Sequence, residues 1–394
     1  MQLIPQNFES EILLRISKIQ KELISQDIEA ILVGSNANIY YTTGRFFRGF
    51  VFIPASGNPL WFVIKPNIFD TTEKNVFSIR KPENIPDILI KENITLPDIV
   101  GMEENDLTYS EIIRLQKLFP NAVFKNGSPA LKKARMIKTP WEINEMKIDG
   151  KHHVNVYSQV KDCYRPGMTD LEFQIEIEKR LRLEGSLGVS RVSGNLMEIN
   201  LGSVISGENA DAPSPYEFTM GGAGVHPVLP VGANNESIEE HHTVMIDMNG
   251  AFNGYQTDMT RVWCLGEVNQ LAQKAHLASI EILRSLEKNA LPGVPVNILY
   301  EMAMGIVEKH ELSPYFMGHN SQVSFIGHGV GIELNELPVI NAKSKDILSE
   351  GVTLAIEPKF VIPHVGAVGV ENTYVVTSKG LENLTPFPEE IQKL

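Results

Sequence analysis

The sequence predicts an α/β domain at the N-terminus followed by a larger α+β domain. The chain has 394 residues, which at roughly 150 residues per domain suggests two or three domains. Short apolar runs follow an amphipathic helix in the first third, whereas helices are grouped around antiparallel strand pairs in the remainder, as is typical of α+β domains. The turn-rich stretch Lys125-Asn126-Gly127-Ser128-Pro129 separates the two patterns. We therefore place the domains at 1–130 and 131–394.

The N-terminal domain is predicted from one long helix and several short strands. Residues 8–26 carry apolar side chains mostly at three- and four-residue intervals, which predicts an amphipathic helix. The apolar run 30–33 predicts a strand. Two further runs, 50–54 and 60–64, flank the turn-forming sequence Ser56-Gly57-Asn58-Pro59, which predicts a hairpin. The later elements are a strand at 98–101 and a helix near 110–118.

The second domain begins with two helix-start signals. Thr139 can cap a helix, and Pro140 suits its first position. The carboxylate of Glu142 lies at the positive end of the helix dipole. This pattern predicts a helix to about residue 163. Thr169 and Glu172 form a capping box that predicts the next helix, to about residue 183. The remaining elements are strands at 243–248, 259–265, 353–357 and 368–376 and helices at 270–287 and 296–310.

Composition and charge disfavour several classes of protein. The 48 acidic residues outnumber the 35 basic ones and give a net charge of −13, so a nucleic-acid partner is not expected. No apolar run reaches 18 residues, and the start of the chain lacks a secretory pattern. We therefore expect a cytoplasmic protein without membrane binding. The two cysteines, Cys163 and Cys264, form no CxxC pair, so any metal must use oxygen and imidazole ligands.

Two aspartates flank a tight connection between predicted strands. Asp247 closes one apolar run, and Asp258 follows eleven positions later at the start of the next. Turn residues between them can bring the two carboxylates together. Neighbouring carboxylates in an apolar setting repel each other, and a divalent cation between them removes that penalty. In an alternative interpretation, one aspartate caps a turn and the other pairs with Arg261.

One histidine and two glutamates extend this pattern. His328 lies between glycines, where backbone and imidazole can both approach an ion or a substrate. Glu357 and Glu371 lie in apolar strands, and buried glutamates are rarely left unpaired. Taken singly, the histidine can be structural and each glutamate can form a salt bridge. Together with the two aspartates, they supply four carboxylates and one imidazole, which match the charge of two divalent ions in a dinuclear hydrolytic centre.

The ordered motifs resemble the pita-bread metallopeptidase family, which comprises methionine aminopeptidases, prolidases and X-Pro aminopeptidases. Segments 38–44 and 138–142 also resemble the prolidase branch, so the resemblance spans nearly the whole chain. It implies an α+β pita-bread (creatinase/aminopeptidase-like) catalytic domain preceded by a creatinase/prolidase-like α/β domain with a mixed sheet. The motifs that carry it are Asp247-Met248-Asn249, Thr257-Asp258-Met259-Thr260-Arg261, Gly327-His328-Gly329-Val330-Gly331, Ile356-Glu357-Pro358 and Glu371-Asn372.

The resemblance also implies roles for the five candidate ligands. Asp258 and Glu371 would bridge two divalent ions of manganese, cobalt, zinc or iron. Asp247 would hold one ion, and His328 with Glu357 would hold the other. A bridging hydroxide would attack a polarised carbonyl while Glu357 moves the proton. The implied activity is hydrolysis of small peptides, as an X-Pro dipeptidase or X-Pro aminopeptidase, by a homodimer.

Several residues depart from the family pattern near the substrate. Asn335 stands where a second histidine is usual, and an amide can donate a hydrogen bond but cannot change charge near neutral pH. Pro230 replaces another histidine, for which His226 is the candidate substitute. Lys359 and Gly369 replace a glycine and an arginine, which would redistribute the charge seen by a substrate. The candidate catalytic residues are Glu357, His328, Asn335 and His226.

These departures leave three functions open. The first is peptide hydrolysis of the X-Pro type, which the complete ligand set favours. The second keeps the metals but acts on a non-peptide amide, or as a lyase on a small metabolite, which Asn335 and Lys359 favour because fold does not fix function. The third is a non-catalytic binding protein, which the intact ligand set disfavours.

Overall fold

The computed structural model describes residues 8–66, 75–194, 199–216, 218 and 220–394. The chain divides into two compact units, Met1–Arg135 and Met136–Leu394. The predicted division after residue 130 lies inside a helix, Ser128–Met136, at the end of the first unit. Among the described residues, no helix combines the length and the apolar character needed to cross a membrane.

The N-terminal unit contains a six-stranded mixed sheet in the order β4-β3-β2-β1-β5-β6. The central strand β1 pairs antiparallel with β2 and parallel with β5. The amphipathic helix α1 buries the face that contains Ile12, Ile16 and Ile19, as its spacing predicts. The helices are α1 (Phe8–Ser25), α2 (Asn36–Thr43), α3 (Ile85–Lys91), α4 (Tyr109–Gln116) and α5 (Ser128–Met136), and the strands are β1 (Ala30–Val33), β2 (Arg48–Pro54), β3 (Leu60–Lys65), β4 (Val76–Ser78), β5 (Ile99–Met102) and β6 (Val123–Asn126).

In its described residues, the C-terminal unit contains two sheets and a separate hairpin, with helices packed against them. Its helices are α6 (Pro140–Tyr157), α7 (Val160–Cys163), α8 (Asp170–Glu184), α9 (Gln270–Asn289) and α10 (Val296–Lys309). Its strands are β7 (Gly202–Ser206), β8 (Thr243–Gly250), β9 (Thr257–Cys264), β10 (Phe325–Gly329), β11 (Glu336–Asn341), β12 (Thr353–Ile356), β13 (Lys359–Ile362), β14 (Gly366–Gly369), β15 (Asn372–Thr377), β16 (Gly380–Asn383) and β17 (Gln392–Lys393).

The strands of the C-terminal unit form two sheets and a hairpin that share one apolar core. The sheets run β11-β10-β12-β15-β16 and β17-β9-β8-β7, and the hairpin pairs β13 with β14. Apolar residues of α9, such as Leu283 and Leu286, form one buried cluster with Ile356 and Phe360. This arrangement confirms the predicted α+β architecture with an α/β mixed-sheet domain before it.

Two predicted elements are each split by the structure. The helix that begins at Pro140 ends at Tyr157, and the separate short helix α7 follows. The predicted strand 368–376 consists of β14 and β15 with Glu371 between them. Gly369, the last residue of β14, adopts a φ of 148°, a backbone conformation that side chains disfavour. Glu371 therefore lies at the end of a strand rather than inside one.

Candidate metal centre

Strands β8 and β9 bring the two predicted aspartate ligands to one face of a sheet. In their antiparallel register, Asp247 lies opposite Thr260, and Asp258 lies opposite Asn249. Residues two positions apart in a strand point to the same side, so the two aspartates are diagonal neighbours. The Asp258 N–H donates to Thr373 Oγ1 at 2.8 Å, and that hydroxyl donates to the Asp258 carbonyl at 2.9 Å. These bonds hold β9 against β15.

The five-stranded sheet positions the other three predicted ligands. His328 lies on β10, which pairs with β12. Glu357 directly follows β12, and Glu371 directly precedes β15. Because β12 and β15 are antiparallel and Ile356 pairs with Asn372, the two glutamates lie at adjoining strand ends.

The ligand atoms of Asp258, His328 and Glu371 all lie within 4.8 Å of one another. His328 Nε2 is 3.9 Å from Asp258 Oδ2 and 3.7 Å from Glu357 Oε1. The other ring nitrogen, Nδ1, lies 3.0 Å from the Gly329 carbonyl oxygen. A carbonyl only accepts, so Nδ1 holds a proton, and Nε2 is the ring nitrogen that faces the carboxylates of Asp258 and Glu357. In this orientation Nε2 and the carboxylate oxygens can share one cation.

The two carboxylates predicted to bridge are almost completely buried. Asp258 is 6% exposed and Glu371 is 1% exposed. Asp258 Oδ1 and Glu371 Oε1 have no hydrogen-bond partner among the described residues. Burial, followed by the carboxylates of Glu371 and Asp247, raises the pKa of Asp258 well above its ordinary value. Burial also raises the pKa of Glu371, against the effect of Lys359. A divalent ion would reverse both shifts, so this donor set fits a metal ion.

The side chain of Lys359 enters the same cluster. Lys359 is fully buried, and its Nζ lies 2.7 Å from Glu357 Oε2, 2.9 Å from Asp247 Oδ2 and 3.0 Å from Glu371 Oε2. Burial lowers the pKa of Lys359, but the three carboxylates raise it well above its ordinary value, so the ammonium remains charged. Sequence reasoning predicted an altered charge near the substrate from Lys359. It did not predict direct contacts between this lysine and three candidate metal ligands.

Gly369, the other charge-altering departure, lies directly opposite Lys359. The two residues pair in the β13–β14 hairpin. A Cβ at position 369 would lie 2.6 Å from the Pro358 carbonyl oxygen and 3.1 Å from Lys359 Cγ. These contacts are too close for a side chain, so glycine leaves the space that the lysine stem uses. The two departures, ten positions apart in the sequence, therefore form one structural feature.

Arg261 does not neutralise either aspartate. It is fully buried, and its guanidinium donates to the Glu371 carbonyl and to Asn372 Oδ1, both at 2.7 Å. It also donates to the Pro388 and Phe387 carbonyls at 2.8 Å. The alternative of an aspartate–Arg261 pair is therefore wrong, because this cation is used to fix the backbone at Glu371 and the C-terminal segment.

Asn335 holds a chain segment beside the centre. Its Oδ1 accepts from the Ser193 N–H at 2.6 Å, and its Nδ2 donates to the Ser193 carbonyl at 2.9 Å. Asn249 Nδ2 also donates to Ser190 Oγ in this segment, at 2.7 Å. The Asn335 amide thus binds the backbone of Ser193 in this structure. A hydrogen bond from the Asn335 amide to a substrate would compete with that pairing.

His226 is not brought to the cluster. Its side chain is exposed, and its Nδ1 accepts from the Val228 N–H at 3.1 Å. The glycine-rich loop does not bend toward the ligands, because Gly221 and Gly224 hydrogen-bond with Gly232 instead. We therefore correct the predicted placement of His226 in the site. Its imidazole lies outside the described lining of the adjacent cavity.

A cavity of about 210 Å³ adjoins the candidate ligands. Its polar lining includes Asp247, Asp258, His328 and Glu357. Apolar walls with a few polar groups are typical of small-molecule sites, and pockets for drug-sized ligands measure roughly 300–1,000 Å³. The smaller volume fits a compact ligand. The apolar lining residues are Ile199, Phe218, Met220, Phe325, Leu334 and Val339.

Comparison with known proteins identifies the family. Residues 144–378 match the model of metallopeptidase family M24. The chain belongs to metallopeptidase family M24. Residues 15–137 of the M24 chain match the creatinase/prolidase N-terminal domain. The two matches confirm the predicted resemblance to the prolidase branch with a creatinase-type N-terminal domain.

Relatives of this M24 chain cover almost its entire length. It is 25% identical over 382 residues to the Xaa-Pro dipeptidase of Pyrococcus furiosus, covering 96% of this chain and 99% of that protein. The solved Xaa-Pro dipeptidase from Bacillus anthracis aligns with a TM-score of 0.80 at 21% identity, covering 97% of this chain and all of that one. The X-Pro aminopeptidase from Thermotoga maritima aligns with a TM-score of 0.76 at 20% identity, covering 95% and 100%. The structural likeness confirms the fold.

A buried polar network behind β9 was missed by sequence reasoning. Asp149 Oδ2 accepts from Thr257 Oγ1 at 2.8 Å, and Thr257 Oγ1 lies 3.0 Å from His153 Nδ1. Burial raises the pKa of Asp149 to about 7 and lowers the pKa of His153 to about 3. Thr257 directly precedes Asp258, so the network supports the strand that carries a candidate ligand. Two polar residues four positions apart on α6 were the available signal.

The raised pKa of Asp149 predicts a pH-dependent effect of Asp149→Asn in this M24 chain. The folded value of about 7 exceeds the ordinary 3.8, so the contribution of Asp149 to stability is fully present below about pH 4 and is lost as the pH rises through about 7. The unfolding free energy of the variant relative to wild type should therefore increase by at most about 4 kcal/mol across that range. Urea unfolding at several pH values measures it, and a constant difference would contradict the assignment.

The contacts of Asn335 predict a loosened segment in Asn335→Ala. Loss of two hydrogen bonds at about 1 kcal/mol each should accelerate amide hydrogen exchange at Ser193 and raise KM more than it changes kcat. Asn297→Ala is the control, since the Asn297 side chain donates to Glu301 Oε1 at 3.1 Å on the exposed surface. Unchanged exchange at Ser193 in Asn335→Ala would show that the amide does not hold this segment.

Proposed function

We propose that this M24 chain is a metal-dependent hydrolase of small peptides, of the X-Pro dipeptidase type. One observation carries the proposal: Asp258, His328 and Glu371 converge beside a small cavity with two buried carboxylate oxygens unpartnered among the described residues. The substrate class is supported by the full-length similarity to a protein named Xaa-Pro dipeptidase. The small volume of the cavity favours a short peptide over a long one.

Different residues of the chain would bind the ion and move the proton. A divalent ion supplies Lewis acidity, which polarises a carbonyl and lowers the pKa of water. Asp258, Glu371 and the Nε2 atom of His328 would hold it. We assign proton movement to Glu357 Oε1, which lies 3.7 Å from His328 Nε2, because Lys359 already binds Glu357 Oε2 at 2.7 Å. The apolar walls limit the water around the reacting carbonyl.

The identity of the ion, the assembly and the compartment belong to the same proposal. Oxygen and imidazole donors accept manganese, cobalt, zinc and iron, so availability selects among these ions. We infer a cytoplasmic homodimer. Elemental analysis of the purified protein identifies the ion, and light scattering measures the mass of the assembly.

A dipeptide panel tests the activity. Protein treated with a chelator and reconstituted with each of the four metals is assayed on X-Pro dipeptides, on the matched X-Ala dipeptides and on longer peptides with X-Pro at the N-terminus. We expect turnover that depends on metal and is fastest with an X-Pro dipeptide. Failure to cleave any peptide with any of the metals would contradict the proposal.

A second candidate function is favoured by the position of Lys359. Its ammonium lies inside the ligand cluster, so the charge in the pocket differs from that expected for the family. The same metals could then act on a non-peptide amide or in a lyase reaction on a small metabolite. Small amides and small metabolites are therefore tested as substrates with the same preparation, and their hydrolysis or elimination products are measured. A clear preference for peptides would exclude this candidate.

A further inference from the structure

We propose that the Lys359 ammonium takes the place of one of the two divalent ions expected for this centre, which therefore binds a single ion. The remaining ion would lie among Asp258, His328 and Glu371. This inference deepens the proposed function and rests on its metal dependence, but it does not depend on the substrate.

The hydrogen bonds of Lys359 account for all of its donors. An ammonium has three N–H groups, and the Nζ lies 2.7–3.0 Å from one oxygen each of Glu357, Asp247 and Glu371. Such distances are typical of charge-assisted hydrogen bonds. An ion bound to the same oxygens would lie about 2.0–2.2 Å from them. It would then be too close to a positive nitrogen that those oxygens already surround.

Lys359 leaves other donor atoms of the cluster without a hydrogen bond. Glu371 Oε2 binds the lysine at 3.0 Å and Thr260 Oγ1 at 2.7 Å. Glu371 Oε1 and Asp258 Oδ1 have no partner among the described residues, and His328 Nε2 lies 3.9 Å from Asp258 Oδ2. Glu371 thus divides its oxygens between the ammonium and one remaining cation position.

The Lys359 ammonium already supplies one positive charge to the cluster. The four carboxylates contribute −4, Lys359 contributes +1 and one divalent ion contributes +2, which gives −1. A second ion would change the total to +1 and place two dications beside a buried ammonium. Repulsion between these charges is strong in a buried site. The two totals are equal in size, so the preference for one ion rests on this repulsion at the carboxylates that already bind the ammonium.

The fold holds the lysine inside the cluster. Its backbone carbonyl accepts from the Met317 N–H at 2.8 Å, and Gly369 leaves space for its stem in the β13–β14 pair. The side chain has no exposed surface. The ammonium is therefore not a surface group that a second ion could displace by a change of an exposed rotamer.

Metal stoichiometry tests the inference without any assay of activity. Protein freed of metal is saturated with Mn²⁺, dialysed and analysed for bound metal per chain. We expect about one ion in wild type and about two in Lys359→Gly, which opens the space occupied by the lysine. Lys359→Met keeps most of the side-chain volume and should bind one ion. Lys138→Met is the control, since Lys138 is a buried lysine paired with Glu336, and it should match wild type.

Wild-type stoichiometry decides the matter even where a variant does not fold. Two ions in wild type, or none at saturation, would overturn the inference, as would one ion in a folded Lys359→Gly. One ion without turnover of any peptide would refute the proposed function and leave this inference intact. Turnover of X-Pro dipeptides by a chain with two bound ions would support the proposed function and refute this inference.

Discussion

Replacement of Asp258 by asparagine is expected to lower kcat/KM for the best dipeptide by about 10³-fold or more. The change keeps the shape of the side chain but removes a buried carboxylate that lies within 4.8 Å of the ligand atoms of His328 and Glu371. Loss of a metal's charge stabilisation costs several kcal/mol, and each 1.36 kcal/mol corresponds to about tenfold in rate. Steady-state kinetics with elemental analysis of the same sample measures both the rate and the bound ion.

The control for this experiment is a buried aspartate elsewhere in the same unit. Asp170, at the start of α8, accepts from the backbone N–H groups of Asn234 and Asn235. Asp170→Asn should alter stability but retain the ion and most of the activity. A folded Asp258→Asn that keeps its ion and loses less than about tenfold in kcat/KM would show that Asp258 is not a ligand.

Four of the five candidate ligands could be predicted from the sequence because each lies in or beside a predicted strand, whereas His328 was singled out by its flanking glycines. Asp247 and Asp258 flank a turn, and Glu357 ends an apolar run. Antiparallel pairing brings together ligands on neighbouring strands of one sheet, but the contact of β9 with β15, which joins the two sheets, has no local signal in the sequence. The position of Lys359 could not be predicted in this way, because it depends on the register that sets Lys359 opposite Gly369. The sequence shows two separate substitutions, and only the hairpin shows that one makes room for the other.

Helix α2 was missed for a related reason. Its buried side includes Asn38, Thr42 and Thr43, so the sequence lacks the apolar spacing that identifies an amphipathic helix. A distant carboxylate stabilises its start instead. Glu103 accepts from the Ser35 N–H at 2.9 Å and from the Asn38 side chain at 2.7 Å. Such polar contacts between remote residues are invisible to periodicity, as is the pairing of Asn335 with Ser193.

In the metal-free protein, Lys359→Met is expected to lower the free energy of unfolding by about 3–5 kcal/mol. Removal of the ammonium leaves the Asp247, Glu357 and Glu371 carboxylates close together in a buried site without a cation. Their mutual repulsion and desolvation then oppose folding. Urea unfolding in the presence of a chelator measures the loss.

Addition of Mn²⁺ should stabilise Lys359→Met more than it stabilises wild type. Without the ammonium the carboxylates attract the ion more strongly, and a ligand at 100 times its Kd stabilises the folded state by about 2.7 kcal/mol. Lys138→Met is again the comparison. Loss of Lys138 leaves Glu336 buried without its lysine partner, so Lys138→Met should also have a lower free energy of unfolding. Mn²⁺ should stabilise this variant no more than it stabilises wild type. Equal recovery in both variants would mean that the Lys359 charge does not act at the metal position.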